Sequence, residues 1–319
     1  MSTKSYSGEW LSRSGRKTFE IPCYIISIEH EAIRRRPDKG NRTLKDNIWL
    51  SHAADLANIV KHGASMAVSK TDAGPAMALT RALIQRQIKD LHLICVPTSG
   101  MQADLLIASG CVCTIECAGV SLDEYGRALS FERAFHEGTL QIRDSTCPAI
   151  YGGLQAAEKG VPFLPIRGLL ETDVLRHHDD IAVVQNPFAD DDPIALVKAI
   201  NPDFCLIHAP LADRQGNVWI GRHRSLMIMA HASKQCLVTV EECCEDNLLD
   251  DPLRGPATIS ALYITAIAKS PNGAWPFGFN DYYLEDSNHI QEYVRSTASE
   301  AGVESYLNEY IFDGTRLSS

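Results

Sequence analysis

From Thr43 onward, short apolar runs suited to strands alternate with stretches of helical periodicity, and no other feature limits the fold of this chain so strongly. Residues 64–69 predict a short buried strand. Pro75 then opens a helix in which Ala76, Leu79 and Leu83 recur at i, i+3 and i+7. Further strands are expected at residues 91–96, 112–118, 181–185, 204–209, 217–221 and 236–241. Residues 161–165 carry two prolines in an extended segment, which places them at a sheet edge or a strand end. Helices are expected at 104–109, 131–136, 151–159 and 226–233, the second running into Gly138 and the third stopped by Gly160. After Asp281 come two amphipathic stretches, one with Ile290, Tyr293 and Val294 and the next with Tyr306, Leu307, Tyr310 and Ile311. The alternation implies an α/β fold, an open and mostly parallel sheet with helices on both faces.

Residues 1–43 read as a polar N-terminal extension, and 44–319 as a single α/β domain ending in C-terminal helices. With 45% hydrophobic and 22% charged residues the composition excludes collagen-like, coiled-coil and fully disordered chains. The formal net charge of −10 is uneven: residues 1–46 carry +4 and the rest −14. An acidic body argues against nucleic acid as a partner, because that requires a broad basic face, and an anionic ligand must be held locally. The basic run Arg34-Arg35-Arg36 fits a solvated linker or a surface for an acidic partner. The longest apolar stretch, 259–268, is far short of the roughly 20 residues a membrane helix needs, so no membrane is expected. Met1-Ser2-Thr3-Lys4-Ser5-Tyr6 shows no secretory signal, and the expected location is cytoplasmic.

The ten cysteines lie in apolar runs such as Leu93-Ile94-Cys95-Val96, the pattern of buried free thiols and not of a disulfide framework. Strand alternation would put Cys111, Cys113 and Cys117 on one face, where packing is the plain reading and a metal the alternative. No metal is expected elsewhere: His177-His178-Asp179-Asp180 and Asp190-Asp191-Asp192-Pro193 read as solvated loops.

Signatures for serine hydrolases, P-loops, zincins and dinucleotide folds are missing. The strongest local chemistry is Ser69-Lys70-Thr71-Asp72-Ala73-Gly74-Pro75, between the end of the first strand and a helix. A helix N-terminus there is a natural seat for a carboxylate or phosphate, with Lys70 adding charge; alternatively Thr71 or Asp72 only caps the turn. In Pro165-Ile166-Arg167-Gly168 a guanidinium fork precedes a glycine, which suits the approach of a carboxylate or thioester oxygen. The alternative is a structural ion pair of Arg167 with Glu171 or Asp173. Asp213-Arg214-Gln215-Gly216-Asn217 is explained by turn chemistry alone.

Taken in order, several segments resemble one family. They are Gly160-Val161-Pro162-Phe163-Leu164-Pro165-Ile166-Arg167-Gly168, Ala199-Ile200-Asn201-Pro202-Asp203, His208-Ala209, Ala212-Asp213-Arg214-Gln215-Gly216-Asn217-Val218 and Val238-Thr239-Val240-Glu241-Glu242. Asp104-Leu105-Leu106, Gly110-Cys111-Val112, Gly119-Val120-Ser121-Leu122-Asp123-Glu124-Tyr125-Gly126 and Asn272-Gly273-Ala274-Trp275-Pro276 fit the same pattern. The chain is similar, over roughly residues 47 to 311, to the A (alpha) subunit of family I coenzyme A transferases of the glutaconate CoA-transferase type.

The resemblance implies a CoA-transferase-like fold, shared with ribose-5-phosphate isomerase-like proteins. It also implies covalent catalysis in which a glutamate on a partner, the B (beta) subunit, attacks an acyl-CoA and becomes a glutamyl-CoA thioester. This chain is then inactive without its B partner, in a heterodimer or α2β2 assembly. Its substrates are an acyl-CoA and a carboxylic acid, expected to be a di- or oxo-acid, with coenzyme A as co-substrate and no tightly bound cofactor. Glu116, Glu124, Glu241 and Glu242 fit the A pattern, and none is assigned as nucleophile. Ser69, Lys70, Thr71 and Gly119 are expected to shape the pocket, with Arg167 and Gly168 meeting an anionic group. Many A subunits carry Gly-Gly where this chain has Ser69-Lys70, which implies a different hold on the carboxylate or exclusion of a bulkier substrate. One relative hydrolyses a steroid-derived acyl-CoA with an A-chain carboxylate just before the helix expected here near Tyr151, where this chain offers Asp144. Hydrolysis of a thioester or ring C–C bond on the same scaffold is therefore an alternative. A non-catalytic subunit that senses acyl-CoA or sugar phosphate is another.

Overall fold

The computed structural model describes residues 48–176, 178–279 and 281–313. The extension at 1–43, with its basic triplet, and His177 lie outside the described residues. The first half runs β1 (Trp49–Leu50), α1 (Ala53–Ala57), β2 (Ser65–Ser69), α2 (Met77–Gln85), β3 (Leu91–Val96), α3 (Met101–Ala108), β4 (Val112–Cys117), α4 (Leu129–His136), β5 (Gln141–Asp144) and α5 (Cys147–Lys159). It continues with β6 (Phe163–Ile166), β7 (Ile181–Gln185), β8 (Pro193–Lys198), β9 (Phe204–Asp213), β10 (Val218–Trp219) and α6 (Arg224–Ala232). Last come β11 (Gln235–Cys244), β12 (Thr258–Ile259), β13 (Ala266–Lys269), α7 (Ser287–Ser296) and α8 (Glu300–Leu307).

The main sheet has the order β1-β13-β11-β9-β2-β3-β4-β5, with β10 and β12 joined to β9 at one corner. Every pairing along that path is parallel, and the antiparallel pairings of this sheet are those of β10 with β9 and with β12. Residues of the central strands are buried on both faces, as a doubly covered parallel sheet demands. Along β9, Phe204 and Leu206 join the core under α1, α2, α3 and α7, whereas Cys205 and Ile207 join the core under α5 and α6. Leu79 and Leu83 are fully buried on the inner stripe of α2. Burying each such side chain stabilises the fold by about 1.5–3 kcal/mol.

Strands expected at 161–165 and 181–185 do form, but in a separate antiparallel sheet of order β6-β8-β7 and not in the parallel one. The reason is the connections. A parallel crossover needs a dozen or more residues, usually helical. The acidic loop 186–192 between β7 and β8 is too short for one, and among the described residues between β6 and β7 the element present is the 3-10 turn Asp173–Arg176. β6, with Pro165, is an edge strand as its prolines require. The expected shared face of Cys111, Cys113 and Cys117 is broken. The pairing of β3 with β4 shifts register between Leu91/His92, leaving Cys113 exposed while Cys111 and Cys117 are buried. Among the described residues no cluster of three or more His, Cys, Asp or Glu could hold a metal, and no helix is long and apolar enough to cross a membrane.

Candidate active site

From β2 the strands β3, β4 and β5 add in one direction; from its other neighbour, β9, the strands β11 and β13 add in the opposite direction. At such a reversal open α/β sheets bind ligands, at the carboxyl ends of the flanking strands, here β2 and β9. Ser69-Lys70-Thr71 stands at that edge. Ser69 ends β2, is 1% exposed, and its hydroxyl has no hydrogen-bond partner. Lys70 is exposed with Nζ 3.9 Å from an Asp72 carboxylate oxygen, and Thr71 begins a 3-10 turn closed at Gly74.

Two residues not singled out from the sequence tie these together. The Ser99 hydroxyl donates to the Ser69 carbonyl (3.3 Å) and the Ser99 N–H donates to the Gly119 carbonyl (3.3 Å). Gly100 lies so close under Thr71 that a Cβ there would stand 2.5 Å from the Thr71 hydroxyl. Ser69, Lys70, Thr71 and Gly119 thus belong to one cluster across the ends of β2, β3 and β4. Gly119 faces open space, since a Cβ on it would meet nothing within 4 Å. The run Pro97-Thr98-Ser99-Gly100 after an apolar strand was the available signal, a turn at the carboxyl end of a buried strand.

The end of α2 differs from the seat expected there. Residues 71–73 form a separate 3-10 turn, so α2 itself starts at Met77, and its Ala78 N–H donates to the Gly273 carbonyl. Asp72 instead acts on Tyr151 of α5 and His223 ahead of α6. Burial raises the Tyr151 phenol, with Cys147 and Asp72 adding to the rise. Burial lowers the His223 imidazole, with Asp72 opposing. Neither residue is marked as a site residue by the sequence, because only the fold brings α5 and α6 to the same edge.

Arg167 and Gly168 follow β6. Arg167 forms a forked ion pair with Asp192, its Nη2 donating to Oδ2 at 2.8 Å, and Asn186 also donates to this carboxylate. The partner is neither Glu171 nor Asp173, because the antiparallel pairing of β6 with β8 carries the acidic loop beside Arg167. Gly168 lies over the start of α5, a Cβ on it coming 3.8 Å from the Pro148 side chain.

The conspicuous Glu241 is held in a closed network. Its Oε1 is 2.7 Å from His208 Nε2 and accepts from the Tyr283 hydroxyl (2.8 Å) and the Gly273 N–H (3.2 Å), and its Oε2 accepts from the Asn272 N–H (2.9 Å). His208 is fully buried, its Nδ1 2.9 Å from the Thr239 hydroxyl and its ring 4.5 Å from that of Phe279. Burial lowers the His208 imidazole, against the pull of Glu241. Burial opposes ionisation of Glu241 too, but bonds from His208, Tyr283 and Asn272 outweigh it and leave the carboxyl below its usual value.

This open parallel sheet with its reversal of strand order fits an α/β ligand-binding enzyme fold. The model of the coenzyme A transferase family matches residues 50–251, and the chain belongs to that family. It is 27% identical over 241 residues to the A subunit of the 3-oxoadipate CoA-transferase of Pseudomonas knackmussii, covering 73% of this chain and 83% of the relative. It is 28% identical over 248 residues to the cholesterol ring-cleaving hydrolase IpdA subunit of Rhodococcus jostii, covering 74% and 82%. A longer Archaeoglobus fulgidus protein aligns over 86% of this chain but only 61% of its own length. The crystal structure of glutaconate coenzyme A-transferase from Acidaminococcus fermentans shares the fold, with a TM-score of 0.78 at 22% identity over 84% of this chain and 90% of that one.

Proposed function

We propose that this chain is the A subunit of a two-chain enzyme that moves CoA between an acyl-CoA and a di- or oxocarboxylic acid, residues 44 onward forming its one catalytic-fold domain. The observation that carries this reading is the state of Glu241, whose two carboxylate oxygens are taken by three donors and a histidine inside the core. A carboxylate so bound cannot attack a thioester, and Glu124 and Glu242 lie on the surface. The nucleophile then comes from a B chain. Its carboxylate adds to the acyl-CoA carbonyl and expels the CoA thiolate, leaving an acyl-glutamyl anhydride. The thiolate attacks the glutamyl carbonyl and releases the donor acid, and the acceptor acid runs the same steps in reverse. Within this chain Ser69, Lys70, Thr71 and Gly119 form the wall that faces the reacting groups, and Lys70 balances the acid's charge. Arg167 and Gly168 bound the site beyond α5.

Co-purification with a B chain, followed by assay of acyl-CoAs with and without acceptor acids, tests the proposal. Acceptor-dependent turnover and a glutamyl thioester on the B chain, trapped by borohydride, are expected. Lys70→Ala should lower kcat/KM by roughly tenfold or more, the worth of one charge-assisted bond, with folding unchanged. A second reading, hydrolysis, is favoured by Asp144, whose exposed side chain ends β5 just before α5. Acyl-CoA loss without acceptor, abolished by Asp144→Asn, would establish it instead.

A further inference from the structure

A second polar site lies deeper in the fold. β3, β4 and β5 direct His92, Glu116 and Arg143 to the face covered by α5, with Glu116 opposite Arg143 in register. Lys198 at the end of β8, with His178 and Asp180 just ahead of β7, lines the same cavity of about 210 Å³. Ser65, which also lines it, precedes Ser69 by four residues of strand, ~13 Å, so the cavity lies well below the carboxyl edge.

Its hydrogen bonds are incomplete in a specific way. Asp180 accepts from Arg143 and from Lys198 (2.9 Å). The His178 Nε2 lies 2.5 Å from the Asp144 carbonyl, which places the proton on Nε2 and the lone pair on Nδ1. That Nδ1, the His92 Nε2 and the Arg143 Nε are each buried without a hydrogen-bond partner. His178 is 9% exposed and Glu116 8%. One Glu116 carboxylate oxygen stands 3.7 Å from Arg143 Nε and 4.0 Å from His92 Nε2, gaps wider than a hydrogen bond. Burial raises the Glu116 carboxyl despite Arg143.

We propose that this cavity binds a small monoanion carrying both a carboxylate and a hydroxyl, a short hydroxycarboxylate or hydrogencarbonate. The carboxylate accepts from Arg143 Nε–H and His92 Nε2–H, and the hydroxyl donates to His178 Nδ1. Arg143 supplies the charge that selects an anion. Because His178 holds the Asp144 carbonyl, an occupant there also braces the turn from β5 into α5.

Isothermal titration of the full chain near pH 7.5, at constant ionic strength, tests this with glycolate, hydrogencarbonate, acetate and chloride. Saturable binding of glycolate or hydrogencarbonate is expected, the tighter of the two identifying the source. Acetate, lacking the hydroxyl, should bind about tenfold more weakly, and His92→Leu should weaken glycolate by a similar factor. Glu116→Gln should tighten binding by removing a negative charge at the same volume. No saturable heat with either hydroxylated anion overturns the proposal, as does acetate or chloride binding as tightly as glycolate. If His92→Leu does not fold, Glu116→Gln decides, and an unchanged affinity in that variant also overturns it.

Discussion

Glu241 shows how one residue's chemistry depends on its surroundings. In the sequence it is the first of two consecutive glutamates that close an apolar run; in the fold it anchors the 272–283 segment to β11 through the Asn272 and Gly273 amides and Tyr283. Glu241→Gln keeps the shape and loses the charge-assisted bonds, and should destabilise the chain by about 1–3 kcal/mol in urea denaturation. Gly273→Ala places a methyl 2.4 Å from the His208 ring. It should cost about 1–3 kcal/mol through overpacking, read as a fall in Tm. The pH dependence follows from two depressed values. Neutral His208 and ionised Glu241 are the folded forms, and unfolding lets both take up protons. Their stabilisation is therefore present at neutral pH and fades as pH falls below about 6.5 for the histidine and about 4.3 for the carboxylate. Urea midpoints measured from pH 8 to pH 4 should decline in the wild type and decline less in His208→Gln.

Helices and strands were legible where a side-chain pattern was strong. Of the stripe Ala76, Leu79 and Leu83, the two leucines lie on α2 and Ala76 is its N-cap, and the apolar run around Leu93 became β3. β5 was not foreseen, because Gln141-Ile142-Arg143-Asp144 has one apolar residue and becomes a strand only by pairing with β4. β8 was hidden behind an acidic loop. α5 begins a turn earlier than its apolar residues suggest, since Thr146 caps it by accepting from the Ala149 N–H and Pro148 fits its first turn. Thr146→Ala should lower stability by about 1 kcal/mol, a smaller fall in Tm than for Gly273→Ala.

Over the chain as a whole, two sheets of unequal burial are joined. β9 is buried at every residue, whereas most of β7 is exposed, with Val183 at 51%. Local opening follows burial. Amide exchange should therefore be fastest at Val183 and Val184 and slowest at Leu206 and Val238; equal protection in both sheets would contradict this account.

Periodicity and ordered local segments are properties of neighbouring residues, so the order of amino acids was enough to reveal the α/β class, the positions of most parallel strands and the family resemblance. It also marked Ser69, Lys70, Thr71 and Gly119, which lie beside strand ends. Three relations emerged from the folded chain alone: Ser99 and Gly100 knit those four together, Arg167 pairs with Asp192, and His92, Glu116, Arg143 and His178 enclose a cavity. Each of them joins residues on separate strands or loops, and strand order and register, which no local pattern encodes, bring them together.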